Sequence, residues 1–348
     1  MKKIHPFIAI ASGILSFASI AFAQIKPLDT PRPAEKSIPL PKPPPMPAPA
    51  PKEAPTPLDP QLRDSALATL MTECNDDDQF LRSNAIEALG DVAPQSAPAP
   101  ILKGLSDSEP SVRYAAVVTA GRLRLRLAYT PLLAMVKDSD LRVQAAVRFA
   151  LHRLGDTRFS HDLEKLAADP DSRVRACTAQ VLGLLGEPSA TKILLVLIGD
   201  HLPSVRIQAA QALWLLGNEH GLNDLVADTI SAYPDDQIIA LEALADPGDR
   251  NVIEHIRGEL VSDYLEVSLA AASAMGKLGS DEGWSVAIKG ARSNEPRQRS
   301  MAALAMGAIG RSDLQSQLAT LLKDTSTPVR ISAATAILKL RAPATAGS

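Results

Sequence analysis

The chain has 348 residues, of which 46% are hydrophobic and only 3% aromatic, so its core is built from Leu, Ile, Val and Ala rather than large rings. A net charge of -3, with 29 Lys+Arg against 35 Asp+Glu past residue 60, gives no basic face for a phosphate backbone and excludes nucleic acid as the expected partner. Close-packed helices suit this composition.

Lys2 and Lys3 precede an uncharged apolar stretch from Phe7 to Phe22, and Ala21-Phe22-Ala23 supplies small residues at the two positions a signal peptidase reads. Residues 1–23 are therefore expected to be a signal peptide cleaved before Gln24, the alternative being an uncleaved anchor. That reading places the protein outside the cytoplasm, periplasmic or secreted. Residues 24–60 carry fourteen prolines in thirty-seven positions, including Pro43-Pro44-Pro45. Such a segment favours extended polyproline II geometry and cannot form a core. It reads as a disordered linker, or as a stalk or proline-rich ligand for a partner. A domain of residues 61–341 follows, and residues 342–348 form a C-terminal tail.

Within that domain, residues 62–341 repeat with a period of 31. Stepping from Arg175 meets Arg82, Arg113, Gln144, Arg206, Gln237, Ser268, Arg299 and Arg330. The column six residues earlier reads Asp76, Asp107, Asp138, Asp169, Asp200, Ser231, Ser262, Ser293 and Asp324. A glycine column is unbroken from Gly155 through Gly186, Gly217, Gly248 and Gly279 to Gly310. Apolar residues one before the Arg column and three, seven and ten after it share one helical face, as in Val205, Ala209, Leu213 and Leu216. Pro110, Pro203, Pro234 and Pro296 mark the first turn of this second helix, and the glycines mark its left-handed end. A first helix carries an apolar anchor six residues before the Asp column, from Leu70 and Ile101 to Leu225 and Ile256. Neither helix can bury its face alone, so nine hairpins must stack into an all-α solenoid.

Asp-x-x-x-x-Val-Arg followed by Leu-Gly-x-Leu-Gly resembles the short HEAT-like repeats of phycobilin lyase subunits and of many bacterial helical-repeat proteins, over all nine copies. The resemblance implies a polar Asp–Arg ladder between repeats and a concave surface lined by the second helices. It also implies a second functional class, an accessory or catalytic subunit of a lyase-like modifying enzyme. The pattern breaks in the sixth and seventh copies, where Ser231 with Gln237 and Ser262 with Ser268 replace Asp and Arg, and where Pro247 precedes Gly248. Residues 228–268 read either as a bend or softer joint, or as drift in a tolerant array.

The histidines His152, His161, His201, His220 and His255 are scattered one per copy without metal-ligand spacing, and none precedes Glu as the iron-binding pairs of HEAT-like hydroxylases would require. No catalytic motif, cofactor or metal site is expected. Cys74 and Cys177 lie in the first and fourth copies and are expected to stay unpaired, as small helix residues rather than reactive thiols. One, five, eight and nine residues past the Arg column, the second helices are expected to expose a stripe: Tyr114, Val118 and Arg122, then Phe149, His152 and Arg153, then Gln180, then Ile207, Gln211 and Trp214. Aromatic and Arg side chains anchor protein interfaces. The expected function is thus a non-catalytic scaffold gripping a protein or peptide in its concave groove. The alternative for Phe149 and Trp214 is that they fill gaps between neighbouring helices.

Overall fold

A computed structural model describes residues 57–340, apart from the side chains of residues 160 and 161. The expected signal peptide, the proline-rich segment up to residue 56 and the C-terminal tail lie outside the described residues. Eighteen α-helices form nine hairpins. They are α1 (Pro60–Glu73) with α2 (Gln79–Val92), α3 (Pro98–Gly104) with α4 (Pro110–Arg122), α5 (Tyr129–Ala134) with α6 (Leu141–Arg153), and α7 (Leu163–Ala167) with α8 (Ser172–Leu185). Then come α9 (Thr191–Leu197) with α10 (Pro203–Leu215), α11 (Glu219–Asp228) with α12 (Pro234–Ala245), and α13 (Ile253–Arg257) with α14 (Leu265–Lys277). The last are α15 (Trp284–Ala291) with α16 (Pro296–Ile309) and α17 (Gln315–Leu321) with α18 (Thr327–Lys339).

The helix boundaries follow local chemistry. Asp78, Asp140 and Asp171 cap α2, α6 and α8, each accepting from a backbone N–H two residues on. Proline opens α4, α10, α12 and α16. All six glycines of the terminal column adopt positive φ. In the second copy that place falls to Arg124, the one non-glycine residue at positive φ among the described residues. The apolar anchors Leu70, Ile101, Leu132, Leu163, Leu194, Leu225 and Ile256 are all buried in one continuous core.

The Asp and Arg columns form a ladder that runs forward. Arg82 pairs in two places with Asp107 of the next copy (Nε–Oδ2 and Nη2–Oδ1, both 2.9 Å), while its Nη1 donates to the carbonyls of Asp76 and Asp77. Arg113–Asp138, Arg175–Asp200 and Arg299–Asp324 repeat the arrangement. Copies six and seven keep only the local half, with Gln237 Nε2 donating to the Ser231 carbonyl and Ser268 Oγ to that of Ser262. In place of the missing rungs, Arg257 of α13 grips Glu282 at 2.9 and 3.1 Å.

The array closes on itself. Helix α18 packs against α1 and, less extensively, against α2, which joins the last copy to the first. Arg330 donates to Glu73 at 3.1 Å, replacing the rung that Asp76 would have made. Arg63 of α1 reaches the carbonyls of Ile337 and Leu338 at the end of α18, and Gln315 takes the Pro57 carbonyl (2.8 Å) and the Asp59 N–H (3.1 Å) in an amide clasp. The solenoid is a ring with the second helices lining a narrow lumen. Tyr114 Oη reaches Gln180 Oε1 two copies away at 2.6 Å, and Arg297 likewise reaches Asp235 at 2.6 Å.

Closure corrects the expected open stripe. Val118, Phe149, Gln211 and Trp214 are buried, because positions five and eight past the Arg column meet the neighbouring second helix rather than solvent, and Ile207, one past the column, is buried as well. At the eighth position glycine recurs for a steric reason. A Cβ on Gly183 would stand 2.7 Å from Ala212 Cα, and one on Gly307 2.7 Å from Ala336 Cα, so these helices touch backbone to backbone. Phe149 fills the space over Gly121. Trp214 occupies this column in copy five, and α10 and α12 are accordingly the most loosely packed neighbouring pair of second helices. Trp214 is a wedge within the wall, 7% exposed, its Nε1 donating to the Leu244 carbonyl at 3.1 Å. The break expected at residues 228–268 is thus a stand-off between copies five and six, where Asp236 is buried at the usual Val position and takes a hydrogen bond from Ser231.

Candidate functional site

Two surfaces remain for function, the lumen and one edge of the ring. Second helices run parallel around the ring, so all their N-termini lie on the same edge. Near that edge a cavity of 310 Å³ opens between copies one to five. Phe80, Tyr114, Ala176 and Cys177 give it an apolar wall, and Arg142, Arg173, Gln180 and Gln208 line it with polar groups. Of the stripe expected from the sequence, only Tyr114 and Gln180 reach it. Gln208 is 3% exposed, and its Nε2 has no hydrogen-bond partner among the described residues. Arg142 is held by Asp140 (2.6 Å) and Arg173 by Asp171 (2.7 Å), which fixes both guanidinium groups.

Burial pushes the Tyr114 hydroxyl well above its ordinary pKa, helped by the adjacent Cys177. Burial likewise pushes the Cys177 thiol up to about 11 and the Cys74 thiol up to about 12. Neither is a thiolate near neutral pH, and both are free.

The rest of the expected stripe lies toward the opposite edge, in a band of charged side chains. Arg122 pairs with Asp91, while His152 stands 3.4 Å from Glu187. Burial lowers the Arg153 guanidinium pKa, and the neighbouring Arg124 lowers it further. Lys277 lies between Glu242 (2.7 Å) and Asp246 (2.9 Å), and Gln211 donates to Asp246 at 2.7 Å. These contacts tie neighbouring copies together. Among the described residues no group of three His, Cys, Asp or Glu stands close enough to hold a metal ion, and no helix is long and apolar enough to cross a membrane.

The second surface was not anticipated. Tyr233 and Tyr264 occupy the N-cap column of α12 and α14, where three of the other seven copies carry the capping Asp78, Asp140 and Asp171. Neither tyrosine caps its helix, and they are 40% and 53% exposed. Ile230, 57% exposed, lies three residues before Tyr233. Equivalent positions in adjacent copies lie ~10 Å apart at ordinary helix-packing distances, so these side chains form one apolar patch. The signal was present in the sequence as two adjacent tyrosines in a column otherwise of Asp, Glu, Leu and Ser.

The HEAT repeats family matches residues 67–152 and 160–229. Residues 67–152 and 160–229 carry HEAT repeats. No curated protein matches it by sequence. Similar solved structures include human deoxyhypusine hydroxylase in complex with glycerol, at 19% identity over 72% of this chain and 98% of that one, with a TM-score of 0.38. The complex of CpcE and CpcF of phycocyanin lyase from Nostoc sp. PCC7120 is 22% identical over 70% of this chain and 95% of that one, with a TM-score of 0.33. An engineered protein is 18% identical over 80% and 94%, with a TM-score of 0.31. The repeats of this chain depart from a regular array at Arg124, Trp214 and copies six and seven.

Proposed function

We propose that this HEAT-repeat ring is an exported, non-catalytic scaffold that binds another protein through the edge of copies six and seven. Export rests on Lys2, Lys3, the apolar run to Phe22 and the Ala21-Phe22-Ala23 ending. The observation that supports the binding reading is the exposed pair Tyr233 and Tyr264. A capping Asp at either place would gain ~1 kcal/mol of helix stability, which neither tyrosine supplies. Large aromatic side chains held exposed at a surface are the usual anchors of an interface. The buried groove residues do not serve this purpose, since a partner could reach Phe149 or Trp214 only by opening the wall.

The test compares the wild-type ring with a Tyr233→Asp, Tyr264→Asp double variant, immobilised and exposed to proteins of the exported fraction. Partners retained by wild type should be lost from the variant, whose thermal stability should be equal or higher. Identical retained proteins, or a variant that unfolds, would contradict the reading. N-terminal sequencing of the exported protein should begin at Gln24.

A further inference from the structure

The chain carries, next to its own ring, a segment whose chemistry matches the lumen cavity. We infer that residues 24–56 dock in cis against the cavity wall, with polyproline packing on Phe80 and Tyr114 and its carbonyls taken by Gln208 and the fixed guanidinium groups of Arg142 and Arg173. Proline has no N–H, so a proline-rich segment presents carbonyl acceptors in excess of donors. Its complement is a surface of aromatic faces with unused donors. The cavity supplies both, and the Gln208 amide is a buried donor that the ring itself leaves unsatisfied, at a cost of ~1–3 kcal/mol. At 310 Å³ it falls at the lower end of the ~300–1,000 Å³ of ligand sites, a size for a few residues of extended chain.

Two further observations favour this occupant over a free ligand. The ring already holds the described end of the same segment by glutamine chemistry, since Gln315 Nε2 donates to the Pro57 carbonyl at 2.8 Å. Charge is also complementary. Residues 24–56 contain five Lys or Arg against three Asp or Glu. Beside Phe80, a depression of 490 Å³ is lined by Asp77, Asp78 and Glu109, with Arg82 already committed to Asp107. Thirty-three residues at ~3.1 Å each reach on the order of 100 Å, enough to pass from Pro57 to the cavity around either face of the ring.

Trypsin reads the docking directly. Lys26, Arg32 and Lys42 are each followed by proline, which leaves Lys36 and Lys52 as the cleavable sites of the segment. In the full exported chain, cleavage at these two sites should be at least 10-fold slower than in a synthetic peptide of residues 24–56. Gln208→Met, which removes the orphan donor at similar volume, and Phe80→Ser, at a side chain 43% exposed, should each restore much of the rate with an unchanged circular dichroism spectrum. Equal cleavage of chain and peptide, or protection indifferent to both substitutions, would overturn the inference. Protection that disappears on dilution would assign the occupant to a second copy and overturn docking in cis.

Discussion

Replacing Trp214 by alanine removes an indole from a joint that cannot close behind it. Elsewhere in its column a glycine lets neighbouring second helices meet with a would-be Cβ 2.7 Å from backbone, whereas α12 stands back from α10 to admit the ring. Truncation leaves a void between helices whose separation is set on both sides by the closed ring, and a ring has no free end to take up the movement. The loss should therefore fall at the full cavity value for a large aromatic, ~3–5 kcal/mol. About 0.5–1.5 kcal/mol of this belongs to the indole hydrogen bond to the Leu244 carbonyl. Urea unfolding followed by far-ultraviolet circular dichroism measures the difference, and Trp284 remains as a fluorescence reporter in the variant. A loss below ~1 kcal/mol would refute the wedge and return Trp214 to a surface role.

Arg124→Gly should stabilise the ring by ~0.5–1 kcal/mol, since it relieves a left-handed arginine (φ 49°) and the repulsion on Arg153, a gain partly offset by the freedom of glycine in the unfolded chain; a lowered melting temperature would contradict this. Thiol counting on denatured, unreduced monomer should find two free thiols, and native Cys74 and Cys177 should alkylate at pH 8 at least ~100-fold more slowly than free cysteine, because burial holds both protonated. The ladder predicts acid sensitivity. Burial raises the Asp107 and Asp200 carboxyls, but hydrogen bonds from Arg82 and Arg175 outweigh it and hold both below the ordinary range, as the hydrogen bond from Arg299 does for Asp324. Their contribution is complete above the unfolded value near ~4 and is lost as pH falls through the lower folded values. Stability should decline steeply below about pH 4, and Asp107→Asn should flatten that decline; an unchanged slope would remove the ladder from the account.

Everything that repeats was legible in the sequence, because it depends on neighbours at fixed spacing. The period of 31, the prolines that open second helices, the left-handed glycines and the anchors from Leu70 to Ile256 are local rules applied nine times. The ladder was legible as two columns, although its partners are 25 residues apart rather than six. Ring closure was not, because it is the sum of small rotations between copies, and its contacts come from Glu73, Arg63 and Gln315, which belong to no column. That omission misplaced the binding stripe. An open array would leave the fifth and eighth positions facing a wide groove, but a closed one presses them against the next helix, and the glycines of the eighth column already implied so close an approach. The cavity uses positions two before and two after the Arg column, as in Arg142, Arg173 and Gln208, which face inward only when the lumen is narrow.

Ring closure carries the rest, and a single distance tests it. Asn75 and Lys323 are exposed and occupy equivalent positions in the first and last copies. Spin labels on Asn75→Cys and Lys323→Cys, with Cys74 and Cys177 replaced by Ala, report their separation by pulsed electron resonance. A closed ring makes them neighbours at about one repeat spacing of ~10 Å, so with label arms the distribution should be narrow and below ~25 Å. Distances of several tens of ångströms, as in an open arc of nine copies, would contradict the closed ring and with it the narrow lumen.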